Sequence, residues 1–270
     1  MKKIVGIGET SYEMKLVSPD KFVGSPSGDI LRTLLCLSNL NLNPIFISEI
    51  GQDQIGQTII DKITTAGIQT DYIYRYHDGF TTLDINCQGD SNSRYSIMPA
   101  QRAEFIWPRI DSGDIVIMSA RYSLDYTIRK DLEEFIDYCK TRKGLIIYDE
   151  SVYNKDLNIL QSMPTIMDNY EIADITISSA SSLKLLYKED NVELAYKKHI
   201  KFYCPILIVL DDSCQLHLLT PSYCCVLDSV GDKKIEEIKA TIIHKLYNSF
   251  LEIDRLKDMN GEEWLQLLKV

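Results

Sequence analysis

Positive charge is scarce in this chain. Lys and Arg number 29 against 39 Asp and Glu, a net charge of −10 over 270 residues. That balance excludes a binder of duplex DNA or RNA, which needs a basic face to displace phosphate counterions. Long apolar runs are also missing: Ile115–Met118 and Pro205–Leu210 fall far short of the ~20 residues of a membrane helix. The N-terminus passes from Lys2-Lys3 straight into Ile4-Val5-Gly6-Ile7-Gly8, too short and too glycine-broken for an export signal, so a cytoplasmic location is expected. The seven cysteines are odd in number and include no Cys-x-x-Cys pair. They read as reduced, buried thiols rather than a disulfide framework. The four histidines are scattered without ligand spacing, so no metal site is expected. Neither an internal repeat nor a low-complexity linker is visible. A composition of 45% hydrophobic and 25% charged residues excludes a disordered chain.

What is present is an alternation of strand-like and helix-like runs. Residues 2–8, 45–47, 115–118, 145–148, 174–178 and 206–211 read as strands. Between them, apolar residues at helical spacing predict helices over 29–41, 55–63, 125–142, 155–163, 180–187 and 191–202. Such punctuation builds a mainly parallel sheet with helices on both faces. Two stretches break the pattern. Residues 11–17 alternate polar and apolar, and 71–98 carry Tyr72-Ile73-Tyr74, Thr82-Leu83-Asp84-Ile85 and Tyr95-Ser96-Ile97. They predict short, half-buried antiparallel strands forming a small sheet attached to the main domain. The last third reads as a hairpin (216–219 and 223–227), one long helix from Lys233 to about Ile253, and a short helix near 261–269. On the long helix, Ile235, Ile238, Ile242, Leu246 and Phe250 share a face, with Lys and Glu opposite.

Several short motifs stand in order along this frame. Ile4-Val5-Gly6-Ile7-Gly8-Glu9 opens the chain, and Ser27-Gly28-Asp29-Ile30-Leu31-Arg32-Thr33 begins the first helix. Gly51-Gln52-Asp53-Gln54-Ile55-Gly56 follows the second strand, and Ala66-Gly67-Ile68-Gln69-Thr70 closes the next helix. Together they resemble the ribokinase, or PfkB, family of carbohydrate kinases. The resemblance implies a ribokinase-like three-layer α/β/α sandwich in a single domain over 1–270, with a β lid from about 11–26 and 71–98. It implies a sugar-binding carboxylate at Glu13 and substrate contacts from Gly28, Asp29 and Arg32. Read from the residues alone, Glu13 is equally a solvated strand glutamate, and Asp29 a carboxylate complementing a helix dipole. Arg32 stands where the family has Asn. A guanidinium only donates, so a sugar acid is favoured there over a neutral sugar.

The second half departs from the family where its chemistry resides. The family's Asp-Pro-Asn-x-Arg aligns with Asp149-Glu150-Ser151-Val152-Tyr153, and its Lys-x-Asn-x-x-Glu with Ile177–Ser182. Its glycine-containing nucleotide loop aligns with Leu210-Asp211-Asp212-Ser213-Cys214-Gln215, which contains no glycine. Its Asp-Thr-x-Gly-Ala-Gly-Asp aligns with Asp228-Ser229-Val230-Gly231-Asp232-Lys233-Lys234. In the family the glycines form an anion hole and the last Asp is the general base. Here Gly231 and Asp232 take those places only if two residues are deleted. The segment after Asp232 is also expected to be short for an adenine pocket.

Three readings follow. The first is a kinase homologue with weak or lost phosphotransfer that binds a sugar, a sugar acid or a partner, with no cofactor required. The second is an active kinase with Asp232 as base and ATP with Mg2+ as donor. The third is a structural or scaffolding homodimer joined through the lid strands.

Overall fold

The computed structural model describes residues 2–87, 92–99, 106–150, 158–213, 215–227, 233–249, 251 and 253–268. Its main sheet has nine strands in the order β13-β12-β11-β10-β9-β8-β1-β4-β5. These are β1 (Ile4–Ile7), β4 (Ile45–Gly51), β5 (Ile73–Tyr76), β8 (Ile115–Ser119), β9 (Leu145–Asp149), β10 (Ile175–Ser179), β11 (Leu207–Leu210), β12 (Leu216–Thr220) and β13 (Tyr223–Leu227). From β11 to β5 every pairing is parallel, and β12 and β13 add an antiparallel hairpin at one edge.

The continuous apolar strands follow from burial on both sides. In β8, Ile115 and Ile117 join one core while Val116 and Met118 join the other. The first core lies under α1 (Asp29–Asn39), α2 (Gln54–Thr65), α8 (Ile235–Ser249) and α10 (Gly261–Leu268), through residues such as Leu34, Ile63, Ile242 and Trp264. The second lies under α3 (Ala120–Ser123), α4 (Arg129–Thr141), α5 (Ile159–Ile172), α6 (Ala180–Tyr187) and α7 (Val192–Ala195), which runs into a π-helical turn at Tyr196–Ile200. The three-layer α/β/α expectation is met. Among the described residues no helix is long and apolar enough to cross a membrane.

The lid is a second sheet of four strands, in the order β3-β2-β6-β7. They are β2 (Ser11–Ser18), β3 (Lys21–Ser27), β6 (Phe80–Asn86) and β7 (Asn92–Ile97). Two details differ from the sequence reading. Within 71–98, Ile73–Tyr76 leaves the lid and pairs parallel with β4 at the edge of the main sheet, because Ile73 and Tyr76 are both buried there. The lid is also mixed rather than antiparallel throughout: β2 and β6 run parallel. Each continues from a strand of the parallel main sheet, β1 and β5, and so leaves it in the same direction.

Helix boundaries shift for local reasons. Asn158 caps α5, its Oδ1 accepting from Gln161 N, and the helix continues through Pro164 to Ile172 because Ile166 and Tyr170 bury against the sheet. Residues 155–157 of the expected helix lie outside the described residues. The long C-terminal helix stops at Ser249, and Ile253 belongs to the separate α9 (Ile253–Asp258). Of the six described cysteines, Cys139 and Cys204 are buried as expected, and burial pushes both thiols up to about 12. Cys224 is exposed on the edge strand, where alternate residues face solvent.

Candidate functional site

The parallel strands deliver their C-terminal ends to one side of the sheet, where α/β folds place ligands. The lid rises from that side. Glu9 follows β1, Glu49 lies near the end of β4, Arg121 follows β8, Asp149 ends β9 and Ser179 ends β10. The turn before α1 depends on Gly28, which has φ +143° and lies so close to Glu9 that a Cβ would collide with the Glu9 carbonyl oxygen. That contact brings the start of α1 against the end of β1.

The expected substrate residues group around this turn. Arg32 Nη2 donates to Ser27 Oγ at 2.7 Å and to Glu13 Oε2 at 3.2 Å, and Arg32 Nη1 lies 3.6 Å from Glu236 Oε1. Arg32 therefore already has two carboxylates, one from the lid and one from α8. Asp29 and Arg32 line a cavity of about 350 Å³ with Lys234, Ile235, Glu236 and Lys239. The Asp29 carboxyl is pushed up to about 6, first by burial and then by the charge of Asp149, while Lys239 pulls the other way. Gly231 and Asp232 lie outside the described residues.

At the back of this cavity is a buried ion pair that sequence reasoning missed. Lys239 Nζ reaches across from α8 to both oxygens of Asp149, at 2.7 and 2.8 Å. The two side chains are only 8% and 3% exposed. Behind the pair, the ends of β10 and β11 meet α8 at a cavity of about 10 Å³, walled by Ile177, Leu210, Ile235, Ile238 and Ile242 among others. That is about the room of one water.

A second cavity, again about 350 Å³, lies between the lid and the main sheet. Glu9 is clamped there by two arginines: Arg94 Nη2 from β7 and Arg121 Nη1 from α3, each at 2.8 Å. Burial works to lower the Arg121 pKa, but the neighbouring Glu9, Asp29 and Asp84 outweigh it and raise it. Tyr122 Oη donates to Glu49 Oε1 at 2.9 Å, and Thr82 and Ser96 share a hydrogen bond at 2.9 Å in the lid wall. The cavity is thus lined with the alternating donors and acceptors that suit hydroxyl groups. One signal for it was legible: Glu49 is the one charged residue in the buried, mostly apolar Ile45–Gly51 strand. Arg94 and Arg121 carried none, because their partners are 85 and 112 residues away in the chain.

The Gly51–Gly56 motif is structural. Asp53 caps α2 by accepting from Gly56 N at 2.7 Å and holds the start of β6 by accepting from Thr81 N at 2.6 Å. Burial works to raise the Asp53 pKa, but these donors and the Thr81 hydroxyl outweigh it and hold the carboxyl below its usual range. Among the described residues no group of His, Cys, Asp and Glu is placed to hold a metal ion.

Comparison with known proteins agrees with this architecture. Fructokinase from Vibrio cholerae O395, solved with fructose, ADP and calcium ion, matches with a TM-score of 0.84 at 14% identity, over 100% of this chain and 90% of that one. Aminoimidazole riboside kinase from Salmonella enterica, complexed with aminoimidazole riboside and an ATP analog, matches with a TM-score of 0.82 at 14% identity, over 99% and 90%. Fructokinase from Xylella fastidiosa with bound ATP matches with a TM-score of 0.77 at 16% identity, over 100% and 90%. At these identities the likeness is one of fold. No curated protein matches the sequence. The family model described as pfkB family carbohydrate kinase matches residues 1–203, three-quarters of the chain. With its ribokinase-like sheet and lid, the chain belongs to the pfkB family of carbohydrate kinases.

Proposed function

We propose that the protein binds a sugar or sugar acid beneath its lid and transfers phosphate from ATP weakly or not at all. The observation that carries this reading is the Lys239–Asp149 pair. By the resemblance, phosphate and metal ligands belong on the segments 177–182 and 210–215. Here the starts of those segments, Ile177–Ser179 and Leu210, meet α8 with room for about one water, and the walls are mostly apolar. A triphosphate with its metal needs polar donors and open space, and these residues fit neither. The cation on that cavity's lining, Lys239, is held by Asp149 at hydrogen-bonding distance. Asp211, in the segment aligned with the nucleotide loop, is committed to the turn: it accepts from Ser213 N and Gln215 N and pairs with His217 at 2.8 Å.

The lid cavity supports the binding half of the reading. It sets charged and hydroxyl side chains on a lining that is otherwise apolar, is partly enclosed and is of a size for one monosaccharide. Arg32 is matched by Glu13 and Glu236, and Arg94 and Arg121 are matched by Glu9 and Asp84, so the lining suits a neutral sugar as well as the sugar acid that Arg32 suggested from sequence. A lid-mediated homodimer is part of the same proposal, because one lid face is apolar and points away from the site.

The test is calorimetric titration of the full chain with a panel of hexoses and hexonic acids, run beside Mg-ATP turnover assays. Saturable binding of a sugar or sugar acid is expected, weakened about tenfold or more in Arg121→Ala, with no magnesium-dependent turnover above background. Sugar-dependent ATP turnover that disappears in Asp232→Asn would overturn the reading in favour of an active kinase.

A further inference from the structure

At the opposite end of the sheet from the lid lies a third cavity, about 550 Å³, larger than the lid cavity. It opens where β1, β8, β9 and β10 begin. Its floor is apolar, made by Leu145, Ala173, Leu246 and Leu251 among others. Its rim is basic: Lys2 precedes β1, Lys140 lies in the last turn of α4 and Lys143 just beyond it, and Lys257 comes from α9. Four lysines from three separate parts of the chain converge on one concavity of a protein whose net charge is −10.

The carboxylates nearby cancel only part of this charge. Asp174 accepts from Ile146 N at 2.9 Å and pairs with Lys257 at 3.3 Å. Asp111 and Asp114 are taken up by Lys3, at 2.9 and 3.3 Å, and Asp111 also by Arg109 and Arg142. Among the described residues Lys140 and Lys143 have no carboxylate partner, and Glu171 is the one acid left on the lining. Burial lowers the Lys2 pKa against the opposing pull of Asp114, so its ammonium is partly withdrawn from water. Gly113, at φ +84°, keeps the wall beside Lys2 clear, since a Cβ there would press to 3.1 Å from Lys2 Cε.

Lysines near helix C-termini are ordinarily explained by the helix dipole. That accounts for Lys140, in the last turn of α4. It does not account for Lys2, which leads a strand, and the ends of α5 and α8, which meet the same cavity with no basic residue in their last turns, set partial negative charge against the rim that the lysines must outweigh.

We propose that this basal cleft binds a small organic anion, a phosphate monoester or carboxylate with an apolar or planar body. The body would rest on the leucine floor and the anionic group would meet the lysine rim. The inference is independent of what the lid cavity binds.

The probes are phenyl phosphate and benzoate, with phenol and inorganic phosphate as controls, titrated into the full chain by calorimetry and by methyl NMR. At least one of the two aromatic anions is expected to bind saturably, and each control about tenfold or more weaker than it. Binding should shift the methyl signals of Leu246 and Leu251 and weaken as salt is added. The exposed double variant Lys140→Gln/Lys143→Gln, which removes charge without touching the core, should weaken it about tenfold, and Glu171→Gln should strengthen it. Whichever aromatic anion binds more tightly decides between phosphate and carboxylate. Failure of both to saturate in the millimolar range, equal binding of the controls, or binding unchanged in the lysine double variant overturns the proposal.

Discussion

Asp149 and Glu150 are neighbours in the chain with opposite surroundings. Asp149 meets the Lys239 ammonium. Glu150 is fully buried on the other side of the strand end, where Tyr170 Oη donates to its Oε2 at 3.0 Å and, among the described residues, its Oε1 has no hydrogen-bond partner. Burial is the largest influence on Glu150 and the charge of Asp149 adds to it. The Ser178 and Tyr170 hydroxyls oppose them, and the carboxyl ends pushed up from 4.5 to about 8. The folded protein therefore keeps a proton that the unfolded chain releases. The stability this proton brings is complete below about 4.5 and falls as pH rises toward about 8. Asp29, raised to about 6, adds the same sign over a narrower window. In Glu150→Gln the amide oxygen still accepts from Tyr170 and no proton is released. The variant should be more stable than the parent above pH 8 by roughly a few kcal/mol and lose most of the decline in between. Urea denaturation midpoints across that range measure it, and parallel curves for the two proteins would sink it. Neither fate was legible in the sequence. Lys239 sits on a helix whose charged residues read as solvent-facing, and the partner that buries it is 90 residues away. Short-range patterns rank a lysine as exposed because a buried one needs a counter-ion that only the fold supplies.

Elements were more legible than residues wherever periodicity was long. The strands of the parallel sheet and the apolar faces of α1, α2 and α8 stand close to where their spacing put them. The shared physical reason is burial against a large core, which repeats at every turn. The lid was read less well because its strands are half-exposed and short, so alternation marks them without giving direction or partner. The element that joins the two sheets is the Asp53 turn. Its carboxylate caps α2 through Gly56 N and holds β6 through Thr81 N, with Thr81 Oγ1 donating at 3.0 Å as well. Asp53→Ala removes both ties at once. A stability loss of about 2 kcal/mol is expected, the cost of a cap together with a charge-assisted hydrogen bond. Amide exchange should also quicken at Thr81 and Leu83 while Ile115–Ser119 in the sheet centre stays protected. Unchanged exchange at Thr81 would mean that the lid is held by other contacts.

At the scale of the whole molecule, the order of glycine motifs made the fold readable, because turns that bring strand ends, helix starts and lid together tolerate few residues. The assembly was only suggested, since pairing between copies leaves no periodic mark. The lid offers the physical argument for it. Register places Tyr12 beside Leu83, Leu83 beside Tyr95, and Leu16 beside Phe22, so these side chains share one face of the sheet. Glu13, Asp84 and Arg94 share the other, which meets Arg32 and Glu9. The first face is apolar and exposed at its outer part, where Phe22 is 43% and Tyr95 59% exposed, while Tyr12 packs back against the core beneath Lys62 of α2. An apolar sheet face left in water favours association, and two such lids stacked face to face would cover each other. The full chain is expected to sediment as a dimer at micromolar concentration. Phe22→Glu/Tyr95→Glu places charges in the middle of that contact without touching either core. It should yield a monomer whose denaturation midpoint, extrapolated to low concentration, equals the parent's, because dimer stability alone depends on concentration. A monomeric parent, or a variant that still sediments as a dimer, would remove the lid face from any role in assembly.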